Sequence, residues 1–278
     1  MDASISALPS AADLKAQFER DGFVILRGAL TPDETARGRA AFEAMAPHVD
    51  KNPKDLLSNY YLPHRPDQGV LYDLYQRSPA FAALARTPAI VDGIAAIYGP
   101  NFYLYENSLV YKPAGRSNAV HWHQDFMDRP NEPVKVVAWM ALDDVTEANG
   151  CMYGVPGSHK LGFLKSERVA GETHHTRLVL DGVDLSSAIP LEMKSGDVLL
   201  FHQLLVHSSR EIALVTNRRA YRVSYQSMDV SYTPRGTPIV ISLRDPSVLE
   251  RPFAEAHPEI SFRGRLRRFG HKVVDRLL

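Results

Sequence analysis

His123, Asp125 and His207 are the residues of this chain whose types and spacing could do chemistry. A histidine and a carboxylate separated by one residue project from the same face of an extended strand, because successive side chains alternate sides. One strand could therefore carry both. A third donor, His207, follows 84 residues after His123, inside the apolar stretch Phe201-His202-Gln203-Leu204-Leu205-Val206-His207-Ser208-Ser209, which reads as another buried strand. Two imidazoles and one carboxylate on one side of a metal leave its opposite side open. That is the facial ligand set of non-haem Fe(II) oxygenases, whose vacant positions take a chelating cosubstrate and dioxygen. Spacing alone permits His121 with His123 as readily as His123 with Asp125, since all three share one face of a regular strand. With 11 histidines and 32 acidic residues in the chain, an isolated His-x-Asp arises by chance, so the surrounding residues must carry the argument.

The elements that position these donors are legible in outline. Residues 12 to 20 form an amphipathic helical stretch, Phe23 to Leu26 an apolar strand, and Thr31-Pro32-Asp33-Glu34 an N-cap with proline in the first turn of a further helix. A second helical region spans about Pro79 to Tyr98 and is closed by Gly99-Pro100. Between them, residues 50 to 75 mix Pro, Asn, Asp, Tyr and His without a period and read as an irregular insertion. From Phe102 onward, short apolar or alternating runs punctuated by Gly, Pro and Asn signal an antiparallel β half.

Composition narrows the class. A chain of 278 residues is long enough to bury a full core as one domain. Its 32 basic and 32 acidic residues balance, which offers no field for nucleic acid or an anionic membrane. The lone Cys151 excludes an internal disulfide and suits a reducing compartment in which iron stays ferrous. The opening residues lack the basic start and apolar core of a secretion signal, and no apolar run approaches the roughly 20 residues that span a bilayer, so a cytoplasmic location is expected.

The ordered set Val120-His121-Trp122-His123-Gln124-Asp125, Trp139-Met140-Ala141-Leu142-Asp143-Asp144, Asn149-Gly150-Cys151-Met152, Pro156-Gly157-Ser158-His159, Ser195-Gly196-Asp197 and Arg218-Arg219-Ala220 resembles the phytanoyl-CoA dioxygenase family of Fe(II)- and 2-oxoglutarate-dependent oxygenases. Asp21 to Leu30 looks like that family's opening strand, so the resemblance runs from about Asp21 to about Gln226. It implies a double-stranded β-helix, or jelly roll, mainly β with N-terminal helices packed on one sheet. A single domain over 1–278 is expected, with a helical part and opening strand over 1–101, the jelly-roll core over 102–230 and a C-terminal extension over 231–278.

The resemblance also implies roles. His123, Asp125 and His207 become the iron ligands, with His121 a partly buried neighbour outside the ligand set. Arg218, 11 residues after His207, becomes the anchor of the 2-oxoglutarate distal carboxylate, in preference to Arg219, which a plain hydrophobicity argument would turn inward. Ser209 could reach the same carboxylate, Trp139 matches a position lining the cosubstrate pocket, and Asn107 is a further candidate. The cofactors implied are Fe(II), 2-oxoglutarate and O2. Because Asp125 is present, where related halogenases carry a small residue, hydroxylation of an unactivated C–H bond with release of succinate and CO2 is the expected outcome. Desaturation, epoxidation and ring closure stay open. The alternative is a cupin-like metal-dependent isomerase or epimerase that consumes no oxygen. Tyr60, Tyr61, His64, Tyr72, Phe126, Met127 and Arg129 are the candidate substrate-pocket residues, suited to a small or medium-sized organic molecule. His159, His174, His175 and His202 read as structural or surface residues, and the basic Arg263 to Lys272 segment as a solvated tail.

Overall fold

The computed structural model describes residues 8–46, 69–113, 115, 119–127, 132–168, 176–211, 215, 217–229 and 239–250. Its helices are α1 (Ala11–Asp21), α2 (Pro32–Met45), α3 (Leu74–Arg77), α4 (Pro79–Leu84), α5 (Pro88–Tyr98) and α6 (Ser247–Glu250). Its strands are β1 (Phe23–Leu26), β2 (Val70–Tyr72), β3 (Phe102–Lys112), β4 (Val120–His123), β5 (Lys135–Ala141), β6 (Met152–Gly154), β7 (Ser166–Arg168), β8 (Thr176–Leu178), β9 (Ile189–Leu191), β10 (Val198–His202), β11 (His207–Ser209), β12 (Arg218–Ser227) and β13 (Ile239–Ser242).

Local chemistry accounts for the helix ends. Ser10 caps α1, its hydroxyl accepting from the Asp13 amide at 3.2 Å, and Gly22 ends it at φ +84°, a left-handed conformation that costs glycine nothing. Thr31 and Glu34 close a reciprocal capping box at the start of α2. The expected single helical region over 79–98 is instead two pieces, α4 and α5, because the proline that starts α5 can begin a helix but cannot continue one. The stretch read as irregular ends in ordered structure, with β2 pairing to β3 and α3 following.

Strands β1-β10-β5-β12-β3-β13 form one antiparallel sheet, joined at β3 by β2, and β4-β11-β6-β9 form a second. The expected jelly roll with helices on one sheet is present. Strand β13, in the stretch expected to follow the jelly-roll core, adds to β3 at the edge of the larger sheet. Period-2 alternation explains the layering. Val136, Ala138 and Met140 of β5 and Val198 and Leu200 of β10 face the helices, joining Leu14, Phe18, Phe81, Ile90 and Ile94. Val137, Trp139 and Ala141, with Leu199 and Phe201, face the smaller sheet and meet Cys151, Met152, Leu191 and Leu205. Strand β5 is therefore buried at every residue. Helix α5 approaches the sheet so closely at Gly93 that a Cβ there would stand 2.9 Å from Leu200 Cδ1. Among the described residues, no helix is long and apolar enough to cross a membrane.

The expected continuous strand over 201–209 is two strands in different sheets. Strand β10 ends at His202, the Leu205 amide donates to the His202 carbonyl at 2.9 Å, and the chain crosses to the second sheet as β11. His202 packs, with tilted rings, between Phe18 (centroids 6.1 Å apart) and His159 (5.1 Å), and its Nδ1 accepts from the Leu204 amide at 3.1 Å. Burial, helped by His159, pushes His202 down to about 4, and burial lowers His159 as well. Since these folded values lie below the unfolded imidazole value near 6.5, the unfolded chain takes up protons first on acidification. Stability from the neutral rings is present above about pH 6.5 and lost as pH falls toward 4. Urea unfolding across this window should show a falling midpoint, with a shallower fall in His202→Gln; equal slopes in both proteins would contradict the reading.

Candidate active site

The two candidate histidines meet through strand pairing. In the antiparallel pair β4–β11, His123 stands directly opposite His207, so both side chains leave the same face, with ring centroids 4.0 Å apart. Each ring is oriented by its own strand. Nδ1 of His123 lies 2.8 Å from the His121 carbonyl and Nδ1 of His207 lies 2.9 Å from the Leu205 carbonyl. A carbonyl can only accept, so each Nδ1 carries the proton and each Nε2 keeps a free lone pair.

Asp125 arrives differently from expectation. It lies in the turn just past the end of β4, and its amide donates to the Gln203 carbonyl at 2.8 Å. The intervening Gln124 is buried and staples the turn: its Nε2 donates to the Gly162 and Leu204 carbonyls, both at 2.9 Å, and its Oε1 accepts from the Leu164 amide at 3.0 Å. Asp125 Oδ1 consequently lies 3.8 Å from His123 Nε2 and 3.9 Å from His207 Nε2. One donor atom from each residue falls within 4.8 Å of the others, a spacing that a single divalent ion could bridge.

Electrostatics match a metal site. Burial, reinforced by the facing His207, pushes His123 down to about 4, and burial lowers His207 too, so both rings are neutral donors at physiological pH. Burial works to raise the Asp125 carboxyl, yet Arg222 and the two imidazoles together outweigh it and hold it below its usual range. The donor set is thus two neutral imidazoles and a carboxylate, in the protonation states a metal requires.

These three residues open onto a cavity of about 360 Å³ whose walls include Val70, Glu106, Ser108, Val110, Phe126 and Trp139. Arg218, Ser209 and Tyr72 also line it. Strand β12 presents its polar face here: Arg218 and Arg222 point into the cavity, while Tyr221, Val223 and Tyr225 pack against the helices. Arg219 points the other way. It makes a forked pair with Asp143, from Nε at 2.8 Å and Nη2 at 2.9 Å, and bonds Glu43 as well. Arg218 is 6 % exposed, lies over Trp139 at 5.3 Å and donates from Nη1 to the Gly150 carbonyl at 3.1 Å, but its buried Nε has no partner among the described residues. Burial lowers it to about 10, which leaves it charged at neutral pH.

Several expectations change. His121 is exposed rather than partly buried, and only its carbonyl serves the site. Asn107 faces the helices, where its Oδ1 accepts from the Tyr75 amide at 2.7 Å and from the Tyr221 hydroxyl at 3.2 Å; it has no part in the cavity. Tyr72 and Phe126 line the cavity, whereas Met127 packs beside Val155, Leu178 and Val206. Tyr60, Tyr61, His64, Arg129, His174, His175 and the basic segment 263–272 lie outside the described residues. The sequence reading missed Glu106 and Arg222. Arg222, four residues after Arg218, shares its face, which is the one signal that could have flagged it. Phe126 was noted as a residue but not for its backbone, which sits at φ +57°, a left-handed conformation that costs a non-glycine residue roughly 1–2 kcal/mol.

Comparison with known proteins identifies the family and the fold. The model of the family described as "Phytanoyl-CoA dioxygenase (PhyH)" matches residues 18–219. Peroxisomal phytanoyl-CoA dioxygenase of Rattus norvegicus is 28 % identical over 232 residues, covering 77 % of this chain and 68 % of its own length. Among solved structures, the apo form of the non-heme monooxygenase ThoJ superimposes with a TM-score of 0.70 at 21 % identity, covering 95 % of this chain and 100 % of that one. EctD from S. alaskensis, solved with 2-oxoglutarate and 5-hydroxyectoine, gives a TM-score of 0.62 at 22 % identity, covering 85 % and 83 %.

The contrast between the two arginines can be tested on stability alone. Arg219→Met strands the Asp143 carboxylate and should cost about 1–3 kcal/mol in urea unfolding of the ligand-free protein. Arg218→Met removes a buried charge without a carboxylate partner in the described structure and should be neutral or stabilising. A loss in Arg218→Met as large as in Arg219→Met would mean that Arg218 serves the fold.

Proposed function

Because the chain belongs to the phytanoyl-CoA dioxygenase family, and because an arginine that bonds no carboxylate among the described residues shares a cavity with its His–Asp–His set, we propose that it is an Fe(II)- and 2-oxoglutarate-dependent dioxygenase. It hydroxylates an unactivated C–H bond of a small or medium-sized organic metabolite, releasing succinate and CO2. The observation that carries this reading is Arg218, a buried cation with a donor unused among the described residues, facing the same cavity as three metal-competent donors.

When bound, ferrous iron supplies oxygen activation coupled to oxidative decarboxylation of 2-oxoglutarate. His123, Asp125 and His207 would hold the metal, and Arg218 with Ser209 would take the distal carboxylate of 2-oxoglutarate, for which a forked guanidinium is the suited partner. Trp139 lies under Arg218 and limits where that guanidinium can move. On the β2 and β3 side, Val70, Val110 and Tyr72, with Phe126 after the ligand turn, form a wall of mixed apolar and aromatic character that would exclude water around a modest organic substrate. The ligand structure of EctD, similar in fold, supports 2-oxoglutarate as the cosubstrate class.

An isomerase or epimerase that consumes no oxygen would use the same three metal donors but give Arg218 no task. The Asp125 carboxylate argues against halogenation, since it fills the position a halide would need.

Purified anaerobically and supplied with Fe(II), 2-oxoglutarate and then oxygen, the protein should form succinate above a no-enzyme control, and His123→Ala or His207→Ala should abolish this. Arg218→Ala should raise the KM for 2-oxoglutarate about 100-fold, the loss expected for a charged hydrogen-bonded pair worth about 2–3 kcal/mol, with a smaller change in kcat. If no succinate forms, anaerobic titration with 2-oxoglutarate should still develop a metal-to-ligand charge-transfer band; absence of both would overturn the assignment.

A further inference from the structure

The two oxygens of Asp125 are not equivalent. Oδ1 faces the two Nε2 atoms at 3.8 and 3.9 Å, whereas Oδ2 accepts from Arg222 Nη2 at 2.9 Å. The other arm of Arg222, Nη1, donates to Glu106 Oε1 at 3.2 Å, and its guanidinium carbon sits 5.1 Å from the Phe126 ring centroid. Phe126 is held there in its left-handed conformation and packs edge-on against Tyr105, at 5.3 Å and 84°. Arg222, Asp125 and Glu106 have side chains only 13 %, 11 % and 13 % exposed, so water competes weakly for these bonds. Glu106, Arg222 and Asp125 thus form a hydrogen-bonded, largely buried chain that ends on Oδ2 of the candidate metal ligand.

A carboxylate can ligate a metal through one oxygen or through both, and the choice changes how many positions remain open. A facial set with a single-oxygen carboxylate leaves three sites of an octahedral ion free, enough for a chelating cosubstrate and dioxygen; a second carboxylate oxygen would take one of them. The network already commits Oδ2. We propose that Arg222 is a positioning residue that confines Asp125 to ligation through Oδ1, and that Glu106 holds Arg222 in place for this purpose. The inference rests on the reading of His123, Asp125 and His207 as the metal ligands and adds what keeps their open positions open. Lysine could not substitute fully, since an ammonium is a point charge and lacks the planar fork that reaches two carboxylates at once.

The test uses the whole chain loaded with Mn(II), whose bound waters can be counted from the effect of 17O-labelled water on its magnetic resonance. Arg222→Met should bind Mn(II) about 10–100-fold more weakly, the usual cost of losing a group that orients a metal ligand, and should carry one water ligand fewer than the unmodified protein. Arg222→Lys should fall between the two. If Arg222→Met does not fold, as judged by circular dichroism and thermal midpoint, Glu106→Gln carries the test and should weaken Mn(II) binding in the same direction by a smaller factor. Unchanged affinity and water count in folded Arg222→Met, or in Glu106→Gln where it stands alone, would overturn the proposal while leaving the ligand assignment in force. Failure of the unmodified protein to bind Mn(II) would overturn both.

Discussion

Strand β12 carries two incompatible surfaces on alternate residues, and the rest of the structure keeps them apart. Tyr221, Val223 and Tyr225 need an apolar partner, which the helices supply; Tyr221 packs at 4.8 Å from Phe81, and the Tyr225 hydroxyl donates to the Ala85 carbonyl at 2.7 Å. Arg218 and Arg222 need a polar setting, and both face the cavity between the two sheets, where Asp125 and Glu106 meet Arg222. An antiparallel strand can serve both because its side chains alternate, so a charged interior can lie one residue from an apolar core. Were the helices on the other face, the cations would lie in the apolar layer and the tyrosines in the cavity.

The arginines on this strand meet three different fates, and each follows from what charge lies within reach. Arg219 is turned outward and raised above its ordinary value, chiefly by its hydrogen bond to Asp143. Arg222 is opposed by burial but held firmly protonated by Asp125 and Glu106. Arg218, which bonds no carboxylate among the described residues, is the one of the three that burial succeeds in lowering. A buried cation left without a carboxylate is costly for a fold and useful for a binding site, which is why the three are chemically distinct although they lie within five residues of one another.

The ligand geometry depends on how the two sheets are joined. The chain leaves β10 at His202, passes through Gln203 and Leu204, and re-enters the second sheet as β11. That crossing is where the Asp125 turn is fastened, through the Gln203 and Leu204 carbonyls. The Lys135 amide in turn donates to Gln203 Oε1 at 2.7 Å, tying the same crossing to the start of β5. The aspartate and its histidine partners are therefore braced by one short segment, so a disturbance there would move the donors together.

By itself, the sequence determined what depends on residue type and local spacing. The candidate donors His121, His123, Asp125 and His207, the cap at Thr31, the onset of strands at Phe102 and the apolar runs of β5 and β10 all follow from chemistry acting over a few residues. Tertiary structure alone decided which face of each strand is which. A period-2 pattern reads the same with its faces exchanged, so Arg218 and Arg219 could not be told apart until the helices covered one side of β12. It also decided that His123 stands opposite His207, that the apolar run from 201 to 209 breaks to change sheets, and that Asp125 approaches from a turn. Register between strands distant in sequence is set by the packing of both sheets together, and no local signal carries it. Arg222 shows the same limit most clearly: its place on the polar face was legible, but its bond to the free oxygen of Asp125 exists only because β12 and the ligand turn meet across the cavity.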